Sequence, residues 1–197
     1  MSARPVTPTE VDAAAETIAQ AFRGDPVWQV ALAAESASDD DLRGFWRCYV
    51  EGALRHATAY AGPDARTVSV WIPPGEDEMT EEQEHEALLQ VERMLPADLA
   101  DAMTQLWDRF AEARPDQPHG YLSLLATHPD HAGHGYGMAH LAADLSRWDA
   151  AGIPTYLEST NPANNRRYQA QGYTAVGGFQ AVLDDAVVTT MWRPVGG

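Results

Sequence analysis

The sequence contains no lysine, and all thirteen of its basic residues are arginine. A covalent Schiff base on the protein is therefore excluded, because that chemistry requires a lysine amine. A P-loop is excluded as well, since its phosphate-binding motif ends in lysine followed by serine or threonine. Two common kinds of enzyme site are thus removed before any motif is considered.

Cysteine is almost as scarce, because Cys48 is the single one in the chain. No disulfide can form within the chain, which fits a reducing compartment. The N-terminal stretch lacks the apolar segment of a signal peptide, and no run of about eighteen apolar residues occurs anywhere. We therefore expect a cytoplasmic protein that has no membrane partner.

Positive charge is also in short supply, since the formal net charge is -16. A nucleic-acid partner is not expected, because a phosphate backbone demands a basic surface. The acidic balance suits a cationic small substrate through electrostatic steering, and it equally suits a plain soluble surface. At 197 residues, 45% of them hydrophobic, the chain predicts a single domain over residues 1–197 with a large core.

The sequence is organised around a segment that predicts a strand, a glycine loop, a helix and a second strand. Residues 121–127 are apolar strand formers, and residues 155–159 predict the second strand. Gly152 stands where a helix end favours a left-handed residue. This arrangement is a βαβ unit. The helix carries one apolar stripe with spacings of three and four, made of Met138, Leu141, Leu145 and Trp148.

The loop before this helix has the chemistry of an anion site. Gly133, Gly135 and Gly137 alternate there and leave backbone N–H groups uncovered at the start of a helix. The helix dipole adds partial positive charge, so a phosphate or pyrophosphate is the natural ligand. A plain strand-to-helix turn is one alternative. A dinucleotide-binding unit with Glu158 as its acidic residue is another, but the spacing is GxGxG and the loop is longer than the tight dinucleotide turn.

A short helix follows the second strand and brings two polar side chains together. Asn161 is a typical N-cap and Pro162 a typical first helical residue, while Gly172 is placed to end this helix. Asn164 and Tyr168 are four residues apart, so an amide and a phenol share one face.

These residues resemble the acetyl-coenzyme A site of GNAT-superfamily N-acetyltransferases. The resemblance lies in HAGHGYG followed by a helix, then YLEST, then NxxNxxxYxxxGY. It implies a mixed, twisted α/β sheet of about six or seven strands with helices on both faces. Ala132 departs from the family pattern, which has Gln or Arg there, so one side-chain contact to the cofactor is removed. The resemblance assigns acetyl-CoA binding to Leu125, Ala126, Thr127, Ala132, Gly133, His134, Gly135, Tyr136, Gly137, Met138, Asn164 and Tyr168.

The same resemblance assigns roles in catalysis. Tyr168 is the residue that would protonate the leaving thiolate, since a phenol with an ordinary pKa near 10 is protonated at neutral pH. Glu158 ends the second strand near the expected thioester and is a candidate general base. His119, just before the first strand, is the alternative base. A purely structural role is the alternative for two of them: Tyr168 would pack its ring under the helix, and Glu158 would anchor a neighbouring backbone group or arginine.

The N-terminal half is expected to supply the acceptor site, with Trp28, Tyr121 and Glu158 as candidate substrate-binding residues. AFRGDPVW and VWIPPG resemble a subgroup that includes puromycin N-acetyltransferase. Trp28 is equally explained as a half-buried packing residue. A helical insert at about 76–114 begins with an acidic run, interpreted as a solvated helix face. Other predicted elements are a strand in 4–7, helices at 39–54 and after Pro96, strands at 58–62 and 67–72, and a final pair at 173–180 and 187–192.

The sequence thus predicts an acetyl-CoA-dependent N-acetyltransferase that acts on a primary amine of a small molecule, such as an antibiotic or secondary metabolite. A non-catalytic acetyl-CoA-binding module and a Rossmann-type NAD-dependent oxidoreductase are the alternatives. No metal site is expected, because the histidines are scattered and lack cysteine partners. A monomer and a homodimer are both compatible with the sequence.

Overall fold

The computed structural model describes residues 3–197, which fold into one seven-stranded mixed sheet with helices on both faces. The strands are β1 (Arg4–Pro5), β2 (Ala59–Ala61), β3 (Thr67–Ile72), β4 (Gly120–Thr127), β5 (Thr155–Ser159), β6 (Thr174–Gln180) and β7 (Val187–Arg193). The helices are α1 (Val11–Phe22), α2 (Trp28–Ala31), α3 (Asp39–Leu54), α4 (Glu81–Met94), α5 (Ala97–Ala113), α6 (Tyr136–Ala150) and α7 (Asn165–Gln169).

The strand order is β1-β2-β3-β4-β5-β7-β6, and β4–β5 is the one parallel pair in the described sheet. The helix α6 connects these two parallel strands, so the predicted βαβ unit is confirmed. The final two strands form an antiparallel hairpin, as predicted. Its second strand, β7, pairs with β5, which leaves β6 at the sheet edge.

The hydrophobic core lies on both faces of the sheet. On one face α1, α3, α4 and α5 bury a large cluster that includes Ile18, Phe45, Trp46 and Leu106. On the other face α6 packs Leu141 and Leu145 against the sheet. Of the apolar stripe predicted for α6, Leu141 and Leu145 are therefore buried, whereas Met138 and Trp148 are only partly buried.

Local signals place most helix ends where the sequence predicted them. The Thr80 hydroxyl accepts the Gln83 N–H at 3.2 Å, and the Thr80 N–H donates to the Gln83 side chain at 3.0 Å, completing a capping box. Gly152 has the predicted left-handed conformation, with φ of 72°. Pro96 is the N-cap rather than the first helical residue. The helix predicted from Pro162 begins as a 3-10 turn, Pro162–Asn164, before α7.

The two parallel strands diverge beyond their first three residue pairs. β4 and β5 pair only from Gly120 with Thr155 to Leu122 with Leu157. The register between β3 and β4 also shifts next to Ser123, which has no partner residue in β3. As a result, the carboxyl-terminal halves of β4 and β5 separate, and a cleft opens where ligands usually bind in parallel sheets.

Candidate active site

A cavity of about 1160 Å³ occupies the cleft between β4 and β5. The glycine loop and the start of α6 form one part of its wall, and α7 forms another. The α1–α2 connection, the segment before α4, and α5 close it on the acceptor side expected from the sequence. One continuous space therefore connects the elements that the sequence assigned to cofactor and to acceptor.

The glycine loop presents backbone amides that have no hydrogen-bond partner in the part of the chain that the structure describes. Gly133 and Gly135 have φ of 79° and 75°, and a Cβ on either would meet no atom within 4 Å. Among the described residues, no carbonyl or side chain accepts a hydrogen bond from the amides of residues 133–138. The loop is exposed to solvent and starts a helix of fifteen residues. It therefore has the geometry that binds a phosphate or diphosphate.

Gly137 has a different role in this loop, because the chain passes close to β4 at that point. A Cβ on Gly137 would lie 2.6 Å from the Thr127 hydroxyl oxygen. The absence of a side chain thus lets the first turn of α6 approach the end of β4. The unpaired amides are held beside the strand that lines the cavity.

Tyr168 and Asn164 both line the cavity, as their spacing predicted. The Asn164 side-chain oxygen accepts a hydrogen bond of 2.7 Å from Arg167. Burial, with a further contribution from the negative charge of Asp25, raises the pKa of Tyr168 to about 12. The phenol is therefore protonated at neutral pH.

Asp25 lies between the two halves of the site; it is the aspartate of the AFRGDPVW motif, but the sequence did not assign it a role in the site. Its carboxylate accepts hydrogen bonds from the Val27 and Trp28 amides at 3.0 and 3.2 Å and from the Thr160 hydroxyl at 2.8 Å. Burial raises the pKa of Asp25 despite these hydrogen bonds. The residue fixes the α1–α2 connection to the end of β5.

Glu158 projects from β5 into the cavity among aromatic and charged neighbours. Its Oε1 atom is inaccessible to solvent and has no hydrogen-bond partner among the described residues. Burial raises the pKa of Glu158 to about 7, against the opposing effects of Arg114 and of the Tyr121 and Tyr156 phenols. A carboxyl group with this pKa exchanges protons readily at neutral pH.

A second carboxylate, Glu78, lies on the same side of the cavity. It pairs with Arg114, with 3.1 Å between the guanidinium nitrogen and Oε2, and it accepts a hydrogen bond from the Ser123 hydroxyl. The Arg114 guanidinium lies over the Tyr121 ring, 4.1 Å from its centroid. Glu78 belongs to the acidic run interpreted as a solvated face, and for this residue that interpretation is wrong, since only 18% of its side chain is exposed.

Aromatic rings form the apolar part of the acceptor-side wall. Trp28 stacks on Phe110 with centroids 5.8 Å apart, and the Trp107 indole N–H donates to the Tyr49 hydroxyl at 2.9 Å. All four residues line the cavity. Trp28 is also buried in the core, so the packing interpretation holds and the same ring lines the cavity.

Three residues assigned from the sequence are not part of the cavity wall. His119 packs its ring against Tyr156 and Trp192, 5.2 and 5.7 Å between centroids, and burial lowers its pKa. The expectation that His119 reaches the cleft is wrong, because its ring is held among these rings instead. Ala126 faces the core, and His134 folds back to the Ala132 carbonyl at 2.8 Å.

Within residues 3–197, no group of three or more His, Cys, Asp or Glu side chains is arranged to hold a metal ion. No helix in the same range combines the length and the hydropathy needed to cross a bilayer.

No family model matches the sequence, but solved structures of acetyltransferases match the fold over almost its whole length. A Corynebacterium glutamicum protein described as histone acetyltransferase HPA2 and related acetyltransferase is 20% identical, with a TM-score of 0.68 over 100% of this chain and 98% of that one. Arylalkylamine N-acetyltransferase 2 from Aedes aegypti is 10% identical, with a TM-score of 0.66 over 99% of each chain. An agmatine N-acetyltransferase is 14% identical, with a TM-score of 0.65 over 98% of each chain. The chain has the mixed α/β fold of the GNAT acetyltransferases.

Proposed function

We propose that this protein is an N-acetyltransferase that moves the acetyl group of acetyl-CoA to a primary amine of a small molecule. The observation that carries the proposal is one continuous cavity with the glycine loop and the start of α6 in one part of its wall and Glu158 with Tyr168 in another. The backbone amides of this loop have no hydrogen-bond acceptor within residues 3–197 and are free to bind an anion. The names of two structural neighbours, an arylalkylamine and an agmatine N-acetyltransferase, agree with an amine acceptor. Acetylation of an antibiotic, as the puromycin-like motifs suggest, belongs to the same proposal.

The residues present fit acetyl-CoA. The amides of residues 133–138 would bind its diphosphate, Asn164 its pantetheine amides, and the unpaired edge of β4 at Leu125 and Thr127 the arm near the thioester. Ala132 adds no polar contact, so affinity for the diphosphate depends on backbone amides. When bound, acetyl-CoA supplies an acetyl group activated as a thioester.

Glu158 is the proposed general base. An amine is a nucleophile only when it is neutral, so the ammonium form of the acceptor must first lose a proton. Glu158 has a pKa of about 7 and an Oε1 atom without a partner. It takes this proton directly or through a water molecule and releases it to solvent. Arg114 and Glu78 keep the local charge balanced while Glu158 cycles between its two forms.

Tyr168 is the proposed proton relay to the sulfur. A second proton leaves the nitrogen as the amide forms, and one proton must reach the departing thiolate, whose ordinary pKa is about 8.5. The phenol has a pKa of about 12, which is higher than that of the thiol. Proton transfer from Tyr168 to the thiolate alone is therefore unfavourable. We therefore assign it a relay in which it receives the nitrogen's proton as it donates its own, so that no phenolate accumulates.

The oxidoreductase alternative conflicts with the sheet. A doubly wound dinucleotide fold needs a largely parallel sheet, whereas β4–β5 is the single parallel pair among the described strands. The non-catalytic module is distinguished by experiment, because it shares the cofactor site.

The experiment measures release of free thiol from acetyl-CoA over a panel of primary amines, with mass spectrometry of the products. We expect thiol and acetylated amine in equal amounts. Binding of acetyl-CoA without thiol release from any amine would support the non-catalytic module instead.

The variant Tyr168→Phe tests the relay within the same assay. It removes the hydroxyl and keeps the ring, so we expect turnover to fall by about 100-fold while the dissociation constant for CoA changes little. Unchanged turnover would remove Tyr168 from the chemistry.

A further inference from the structure

The side of the cavity formed by α4 and α5 carries an unusual surplus of negative charge. Asp77, Glu81, Glu84 and Asp108 all line the cavity and are exposed to solvent. None of the four carboxylates has an ion-pair or hydrogen-bond partner within residues 3–197. We call these four residues the acidic rim.

The acidic rim differs from the rest of the acidic surface. Arginine pairs with acidic residues on α1, α3 and α6, for example Arg47 with Asp12 and Arg193 with Asp149. The described basic side chains that line the cavity are Arg114 and Arg167, apart from the imidazoles of His85 and His131. Arg114 is paired with Glu78 and Arg167 is bonded to Asn164. Arg55 donates to the Asp77 backbone carbonyl at 2.8 Å and not to its carboxylate. Within residues 3–197, the four rim carboxylates are therefore left without a paired cation.

Helix geometry places this rim at a defined distance from the reacting end. Thr104, Trp107, Asp108, Ala111 and Arg114 recur at spacings of three and four, so one side of α5 faces the cavity. Arg114, just past the end of α5, is beside Glu78 and near Glu158. Asp108 precedes it by six residues, about 9 Å along the helix axis at 1.5 Å per residue.

The space between these two charged regions is apolar. Phe110 lies on α5 between Asp108 and Arg114, and Trp28 stacks on its ring. Trp107 bonds to the Tyr49 hydroxyl, and Tyr121 lies under the Arg114 guanidinium at the inner end. Glu158 lines the cavity at that inner end, and its buried Oε1 atom has no hydrogen-bond partner within residues 3–197. From the inside outwards, the cavity thus presents the Glu158 carboxyl group, then aromatic side chains, and then the carboxylates of the acidic rim.

We propose that the acceptor is a dication: a primary ammonium that reacts beside Glu158, an apolar spacer along the aromatic wall, and a second cationic group at the acidic rim. This inference rests on the proposed acetyl transfer and names its substrate class. A monoamine of the same length fills the aromatic wall but leaves the rim unneutralised. The acidic rim also attracts cations from solution, so it raises the association rate as well as the affinity.

The test compares diaminohexane with hexylamine, which match in length and differ in the second charge. Equilibrium binding and KM are measured for both. Because several exposed carboxylates act together on one cation, we expect the diamine to bind at least ~10-fold more tightly at low salt, with the preference shrinking as salt rises. Equal affinity for the two amines would overturn the inference.

Charge-neutralising variants locate the effect. The double variant Glu84→Gln with Asp108→Asn removes two rim carboxylates, and we expect it to lower the diamine preference to about 3-fold or less. The matched control is Glu82→Gln with Asp101→Asn, which removes two exposed carboxylates from the same two helices but outside the cavity wall. The control should retain the preference. An equal loss in both double variants would assign the effect to net charge and overturn the acidic rim as a site.

The two proposals fail separately. If both amines are acetylated with equal KM, acetyl transfer stands and the dication inference falls. If the diamine binds preferentially and neither amine yields thiol, the rim stands as a dication site and the catalytic proposal falls.

Discussion

At the scale of single residues, the proposed role of Glu158 as general base predicts a definite pH dependence of the rate. Its folded-state pKa of about 7 is caused chiefly by burial. Below that pH the carboxyl group is neutral and accepts no proton, so kcat/KM should rise with pH through about 7 and then level off. Glu158→Gln should remove this rise and lower the rate by at least ~100-fold. The measurement is kcat/KM with one amine from about pH 5 to 9.

Glu78→Gln provides the companion variant for this profile. The negative charge of Glu78 raises the pKa of Glu158, while Arg114 lowers it. Removing the Glu78 charge should therefore keep the rise and move it to lower pH. A rise that persists unchanged in Glu158→Gln would show that another group, or water, takes the proton.

Whether a residue of the candidate site could be predicted from the sequence depends on how far away in the sequence its partners lie. Asn164 and Tyr168 were found because helix spacing joins them, and Glu158 because it ends a strand of the βαβ unit. Glu78 and Arg114 were missed because they meet across 36 residues of helical insert, which no local spacing reveals. The acidic run around Glu78 gave the opposite impression, that of a solvated helix. Sequence alone offers no signal that separates Glu78 from its exposed neighbours.

At the scale of elements, helix and strand bounds followed from local signals, whereas the shape of the cleft did not. The bounds of α3, β3 and β5 agree with the prediction at both ends, because N-caps, turns and strand formers mark them within a few residues. The divergence of β4 from β5 depends instead on pairing between distant strands. Ser123, the unpaired residue beside β3, is an ordinary strand residue in the sequence.

The glycine loop permits a test with a matched control elsewhere on the same helix. Gly135 and Gly152 flank α6 with φ of 75° and 72°, and a Cβ on either meets no atom within 4 Å. Replacing either with alanine should cost about 1 kcal/mol, the strain of a left-handed non-glycine residue. Gly135→Ala should also weaken CoA binding by about 10-fold, because it disturbs the amides that precede α6. Urea unfolding and calorimetric titration with CoA measure the two effects.

We expect the two glycine variants to lose similar amounts of stability but to differ in their affinity for CoA. Gly152→Ala, at the far end of α6, should bind CoA like the parent protein. If both variants bind CoA equally well, the amides of residues 133–138 do not form the diphosphate site.

At the scale of the whole molecule, a buried polar network ties α6 to β3, a strand of the antiparallel half of the sheet. Asp144 of α6 accepts hydrogen bonds from the Ser69 hydroxyl at 2.6 Å and the Trp71 indole N–H at 3.0 Å, both on β3, and from Arg147. The Ser69 proton is committed to Asp144, so His140, with Nε2 3.1 Å from Ser69 Oγ, must donate that contact. The other imidazole nitrogen then accepts from the Thr67 hydroxyl at 2.7 Å.

This network lies on the α6 side of the sheet, opposite the acceptor-side helices, and none of its members lines the cavity. It fixes the helix that carries the glycine loop against a strand of the antiparallel half. Burial lowers the pKa of His140, so the neutral tautomer described above is the stable one in the folded protein. The serine, histidine and aspartate here are buried and lie outside the wall of the β4–β5 cavity, so we assign them to packing.

Asp144→Ala tests whether this network holds the fold together. The substitution leaves the Trp71 N–H, the Ser69 hydroxyl and the Arg147 guanidinium without their shared acceptor. Two of these donors are buried, because Ser69 and Trp71 have no exposed surface. We expect the free energy of unfolding to fall by about 3 kcal/mol, as measured by urea denaturation. Asp101→Ala, an exposed carboxylate without a partner on α5, should change it by less than about 0.5 kcal/mol. If the two variants lose similar amounts of unfolding free energy, the apolar packing of the α6 leucines is what holds the helix. The polar contacts with β3 would then add no measurable stability.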